Sequence, residues 1–251
     1  MKHTTRLDNQ HLVDKIKQDF DKQQRNKLPS IIATLPSAGR IYPESSPLRS
    51  GKIEMRYMTA YDEDILTNTS YIKEGVLFDK LLESIIVSDI DIKEIASVDK
   101  NGLIIYARIL SYGADYPVNV IDPATGKTIQ RTVDLTKIGY KPFDLQSDEN
   151  GEFTYQVNDT TSIKYTYSVN LTDNDSISQL LQKIICQVNE SRNPLDIENF
   201  LRYEFFARDA KQFRTYYAET MPGLNLDYEF EGENGGTFTA GFPIGPDLFW
   251  F

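Results

Sequence analysis

The chain has 251 residues and a formal net charge of -10 at pH 7, with 40% hydrophobic and 25% charged residues, a balance that suits a globular protein able to bury a core as one large domain or two modest ones. This acidity speaks against nonspecific nucleic-acid binding, which rests on lysine and arginine neutralising phosphates. No run approaches the ~20 apolar residues of a membrane helix, and a single cysteine, Cys186, excludes an internal disulfide.

Residues 1–28 are polar, with Leu12, Val13, Ile16 and Phe20 as a narrow apolar stripe. They read either as an amphipathic helix docking at an edge or on a partner, or as a mobile leader. MKHTTRLDNQHL offers no apolar secretion signal, so the expected location is the cytoplasm of the cell that makes the protein.

From Leu35 to Val87 the chain carries its densest local instructions. Pro36, Gly39, Pro43 and Pro47 punctuate an extended, turn-rich arm. Ile53, Met55 and Tyr57 then alternate with Lys52, Glu54 and Arg56, the period of a half-buried strand. Thr59 is a helix N-cap, and Asp62, Glu63 and Asp64 complement the positive end of a helix starting near Ala60. Val76, Leu77, Leu81, Leu82, Ile85 and Ile86 recur at helical spacing and predict a second helix with one buried face.

Asp89 to Val98 is ambiguous between strand and loop. Asp99 can cap the next element, in which Leu103, Ile104, Ala107 and Leu110 trace a buried helix face closed by Gly113 as a left-handed C-cap. A buried strand is the alternative, since LIIYARIL is also rich in β-branched and aromatic residues. Tyr116, Val118 and Val120 lead into a turn at Pro123 to Lys127, and Ile129, Arg131 and Val133 lead away, a hairpin. Gly126-Lys127-Thr128 resembles the tail of a phosphate-binding loop, but Ile121 stands where that loop needs a glycine.

A polar turn at Asp148 to Gly151 precedes a second hairpin, with Phe153, Tyr155 and Val157 alternating and then Ile163, Tyr165, Tyr167 and Val169. Asp173-Asn174-Asp175 lacks the glycine and distal glutamate of a calcium loop. Asp175 or Ser176 instead caps a helix with an apolar face of Ile177, Leu180, Leu181, Ile184 and Ile185, and Cys186 reads as a small buried hydrophobe. After Asn193-Pro194 a long helix is expected from Leu195 to about Tyr217, carrying Phe200, Phe205, Phe206 and Phe213. Tyr203, Tyr216 and Tyr217 among Arg202, Arg208, Lys211 and Arg214 form the aromatic and arginine mixture enriched in protein interfaces. The chain then passes Met221-Pro222-Gly223, a strand from Leu224 to Phe230, and an apolar end, Leu248-Phe249-Trp250-Phe251. That end must be buried, on its own helical region by preference or on a partner.

No nucleophile, base and orienting group coincide. Both histidines, His3 and His11, lie in the polar leader, and the carboxylates show no catalytic spacing. The expectation is a protein with no catalytic residue, cofactor or metal. A hydrolase with an unrecognised carboxylate site is the alternative of another class. The predicted fold is α+β: a leader over 1–28, a mixed domain over 29–170 with a small antiparallel hairpin sheet packed on helices, and a helical region with an aromatic tail over 171–251. Its candidate partner-binding residues are Tyr203, Arg208, Arg214, Tyr217, Phe249, Trp250 and Phe251.

LPSAGRIYP, MTAYDEDIL after a strand, the LFDKLLESII helix, ARILSYG and the closing GFPIGPDLFWF, in this order, resemble the baseplate proteins of T4-like contractile-tailed bacteriophages, specifically the baseplate hub assembly proteins. The resemblance covers roughly Leu35 to Tyr167 and the chain end. It implies a noncatalytic role in assembling the central hub, as a permanent virion component or a chaperone that leaves. Other hub and tail proteins would be the partners, an oligomer within the baseplate stays open, and neither nucleic acid nor membrane is bound. It also implies a place for a Cys-Pro-x-Cys-Gly zinc knuckle at the first hairpin. Here the matching residues are Asp122, Pro123, Ala124, Thr125 and Gly126, so the thiols and any zinc role are lost.

Overall fold

The computed structural model describes residues 27–170, 175–242 and 244–249. The leader's apolar stripe, Asp173, Asn174, Trp250 and Phe251 therefore lie outside the described residues. The rest is α+β, with helices covering several small antiparallel sheets.

β1 (Ser30–Thr34) pairs antiparallel with β2 (Lys52–Arg56), Ala33 facing Ile53. Between them the proline-marked arm is the string of turns its residues demand. Gly39 and Gly51 sit at φ 79 and 67, and a Cβ on Gly39 would lie 2.4 Å from the Arg49 carbonyl oxygen. Two stretches of backbone press together there, which only glycine permits.

α1 (Ala60–Leu66) starts where expected, with the Asp62 carboxylate accepting from the Thr59 backbone N–H at 2.7 Å. α2 (Thr69–Glu74) and α3 (Leu77–Ile85) follow, and α3 buries Leu77, Leu81, Leu82 and Ile85, its predicted face. Leu81 is fully buried, so Leu81→Ala removes an isobutyl group from a filled core. A loss of ~2 to 5 kcal/mol in denaturant unfolding is expected, and a value within about half a kcal/mol of wild type would show that this face is not part of the core.

The ambiguous stretch after α3 holds a single 3-10 turn, Ile92–Glu94, and α4 (Ser97–Tyr112) is the helix rather than the strand. Two details at its ends differ from the sequence reading. Asp99 lies inside the first turn, after an Ala96 cap, and its carboxylate accepts from a distant loop. Gly113 has φ 84 but ψ 175, so it is no left-handed cap and sends the chain straight into a strand.

β3 (Asp115–Ile121) and β4 (Thr128–Asp134) form the first hairpin, with Val120 opposite Ile129. The second hairpin, β6 (Phe153–Asn158) and β7 (Thr161–Tyr165), gains a third strand, β8 (Ile185–Val188), in the order β6-β7-β8. Sequence reasoning ran helix through this third strand. α5 (Ile177–Ile184) is capped by Ser176, one of the two expected residues, in a capping box with Gln179, but stops at Ile184 because Ile185 pairs with Tyr165 on the edge of β7. Cys186 is thus a half-buried strand residue, whose thiol burial pushes up to about 12.

A short β5 (Gly139–Tyr140) pairs with β9 (Leu224–Asn225), and β10 (Asp227–Glu231) pairs with β11 (Thr237–Gly241). The expected strand from Leu224 to Phe230 is therefore split between two sheets. The buried side chains from Ala33 to Phe249 join in one cluster.

Candidate protein-binding surface

The region after β8 was expected as one helix and is three pieces. Asn193 caps it by accepting from the Leu195 N–H, Pro194 opens it, and α6 runs over Pro194–Asn199. One π-helical turn follows over Phe200–Glu204, in which the Phe205 N–H donates to the Phe200 carbonyl at 2.8 Å. Phe205 and Phe206 then leave helical geometry, and α7 (Ala207–Thr220) begins anew.

The physical reason lies in the aromatics. The extra residue in the turn brings Phe200 and Phe205 onto each other, stacked at 4.9 Å with 24° between their planes, and both are buried. A continuous helix would hold them five positions apart on diverging faces. Burying that pair turns Tyr203 and Phe206 outward, 67% and 69% exposed. Large aromatics left in water at a π turn mark this surface as a candidate, since π turns occur often at functional sites.

The sequence candidates divide in two. Tyr203 lies on the surface with Arg202 over its ring at 6.0 Å, and Arg202 also pairs with Glu198 at 2.7 Å. Arg208 extends into solvent and, among the described residues, makes one long 3.4 Å contact to Asp209. Arg214 is half-buried and donates to the Ala210 carbonyl. Tyr217, by contrast, faces inward: it stacks on Tyr167 at 4.6 Å and its hydroxyl donates to the Thr166 carbonyl. Together with Tyr165, Phe213 and Phe153 it forms the aromatic heart of the three-stranded sheet.

Phe249 faces inward as well. It packs on Phe78 of α3 and Tyr112 of α4 at 6.3 and 6.2 Å, while the Leu248 carbonyl accepts from Arg108 Nε at 2.7 Å. The tail up to Phe249 thus docks on its own chain, on helices of the first half rather than on α5 to α7. Arg108 is completely buried and also donates to the Gly113 and Asp115 carbonyls. Its role escaped sequence reading, although a lone arginine on the apolar side of ARIL was a signal available there.

The other buried charges are equally committed to structure. Arg56 grips Asp62 with two hydrogen bonds of 2.8 Å. Asp99 accepts from Ser37 N, Ser37 Oγ and Tyr42 Oη at 2.7 to 2.8 Å.

At the first hairpin, Asp122 stands where the zinc knuckle's first thiol would be. Its Oδ1 accepts from Ala124 N at 2.8 Å and its Oδ2 from Glu233 N, in the β10–β11 turn, at 2.9 Å. The turn therefore holds by more than its own geometry, because one carboxylate ties two hairpin tips together. Among the described residues no group of three or more histidine, cysteine or acidic side chains could hold a metal ion. Equilibration with zinc, desalting and elemental analysis should return a metal-free protein. A stoichiometric ion would mean that these carboxylates act as ligands.

Taken together, the arrangement is that of an α+β scaffold whose buried polar groups hold it together and on which Tyr203 and Phe206 face outward. The chain belongs to the T4 bacteriophage base plate protein family, whose model matches residues 28–237. Membership of that family points to a structural role in the phage tail. No curated protein and no solved structure matches it significantly.

Proposed function

We propose that the chain acts without catalysis in assembling the central hub of a contractile-tail baseplate, by binding other hub or tail proteins through the surface of Tyr203, Phe206 and Arg208. The observation that carries this reading is the exposed pair of aromatics at the π turn, flanked by arginines on an otherwise acidic chain. Aromatic and arginine side chains supply most interface hot spots, and a folded protein gains nothing by leaving such rings in water. The division into 1–28, 29–170 and 171–251 belongs to the same reading, with the last part presenting the surface. Assembly in the host cytoplasm, followed by residence in the virion or by release, fits it equally.

The hydrolase alternative finds less support. A groove of about 530 Å3 between α1 and α3 is lined by Asp64, Glu83 and Lys80 among others. Its Glu83 is already paired with Lys80 at 2.9 Å.

The test is a triple variant, Tyr203→Ala, Phe206→Ser, Arg208→Glu, assayed for binding to purified hub proteins. A loss of roughly 100-fold in affinity with unchanged thermal stability is expected, each lost anchor being worth about 1 to 2 kcal/mol or more. Unchanged affinity would overturn the assignment. Detection of the chain by mass in purified virions separates permanent component from chaperone.

A further inference from the structure

The antiparallel pair β1–β2 has one covered edge and one open edge. On the β2 side, the Val87 N–H donates to the Glu54 carbonyl and the Glu54 N–H to Ser88 Oγ, both at 2.9 Å, so a neighbouring segment closes that side. On the β1 side the pairing follows from parity. Tyr57 N donates to the Pro29 carbonyl and Leu35 N to the Gly51 carbonyl, so Pro29, Ile31, Ala33 and Leu35 turn their backbone groups toward β2. Ser30, Ile32 and Thr34 must turn theirs away.

Among the described residues only the Thr34 carbonyl on that outer edge has a partner, the Tyr140 hydroxyl at 2.9 Å. Ser30 and Ile32 each present an N–H and a C=O with none. The strand, Ser-Ile-Ile-Ala-Thr, carries no charge, proline or bulge, the devices by which sheets guard an edge. Ile32, at its centre, is 58% exposed.

An apolar groove runs beside the same edge. It holds about 290 Å3 and is lined by Ile31, Ile105, Ile109, Ile138, Tyr140 and Leu224. Tyr140 places it, since its ring lines the groove while its hydroxyl reaches the edge at Thr34. A strand added to β1 would set alternate side chains over this groove and the others beside Ile32.

We infer that β1 is a β-augmentation site that takes an extended, alternately apolar segment from a different protein of neutral or basic character. Charge selects a foreign segment over a second copy, because two chains of net charge -10 repel each other. This edge is separate from the Tyr203 surface and does not depend on it.

The experiment places photoreactive benzoylphenylalanine at Ser30 of the full chain during tail assembly in infected cells and maps the cross-linked peptide. The expected product is one defined stretch of another phage protein with apolar residues at alternate positions. Ile32→Pro removes an N–H that points away from β2, so it should leave the fold intact while lowering cross-link yield roughly ten-fold, the worth of one or two hydrogen bonds. The triple variant of the Tyr203 surface should leave the Ser30 cross-link to that segment in place. Should Ile32→Pro fail to fold, hydrogen exchange on the wild type decides: the Ile32 amide should exchange fast in the isolated chain and slowly in the assembled tail. A cross-link to a second copy, no cross-link, a yield indifferent to proline, or an Ile32 amide unchanged on assembly would each overturn the inference.

Discussion

Asp99→Ala is expected to destabilise the protein by about 3 to 5 kcal/mol, because it strands three donors in a dry interior at ~1 to 3 kcal/mol each before relaxation. The fully buried Asp99 carboxylate accepts from Ser37 N, Ser37 Oγ and Tyr42 Oη, and Tyr42 Oη in turn accepts from Ala96 N at 3.0 Å. It is the knot that ties the LPSAGRIYP arm to the start of α4.

Burial pushes the Asp99 pKa above the ordinary carboxylate range, against the hydrogen bonds from Tyr42 and Ser37 that favour the anion. The folded state therefore holds this proton more tightly than the unfolded chain does. The associated stability is fully present below the unfolded value of about 4 and is lost as pH rises through the raised folded value. Asp99→Asn keeps one accepting oxygen in the same shape but turns an NH2 toward the remaining donor, so its loss should be smaller than that of Asp99→Ala. It should also remove this slope from the pH dependence. Urea unfolding of both variants at several pH values checks the pair, and an alanine variant as stable as the asparagine one would dissolve the argument.

The second large effect is expected from Arg56→Met. Arg56 and Asp62 are both almost wholly buried and make a bidentate pair, with Ser84 Oγ and the Thr59 N–H completing the carboxylate's partners. Breaking such a pair from one side leaves an uncompensated buried charge and costs about 3 to 5 kcal/mol. Burial alone would raise the Asp62 pKa, but the bonds from Arg56, Ser84 and Thr59 outweigh it and hold the value at about 2. Its sign is opposite to that of Asp99: the stability is present above the unfolded value and is lost as pH falls from about 4 toward 2. The difference between wild type and Arg56→Met should accordingly shrink in acid. Replacing both partners, Arg56→Met with Asp62→Leu, should restore most of the loss. A difference that stays constant with pH would show that Arg56 acts through packing alone.

Much of the chain was legible one residue at a time, where an element's cause lies within a few positions of its effect. The helix starts at Thr59 and Ser176, the buried face of α3, the two hairpins and the turn-rich arm are all of this kind. Each rests on hydrogen bonds and side-chain periods that close inside one turn or one strand pair, so the sequence by itself determined them. The exposed placement of Tyr203 and Arg208 was legible in the same way.

Tertiary structure decided whatever needed a partner far along the chain. Ile185–Val188 could continue a helix by its apolar content, and only the waiting edge of β7 makes it a strand. The π turn exists because Phe200 and Phe205 gain more by stacking in the core than a regular helix could return, which in turn exposes Phe206. Tyr217 and Phe249 were indistinguishable from surface aromatics until the sheet and the α3–α4 face covered them. Asp99 met its donors 57 and 62 positions away, and Arg108 its carbonyl 140 positions away. A buried charge takes whichever partner the closed core brings to it, and that choice is made by packing over the whole fold.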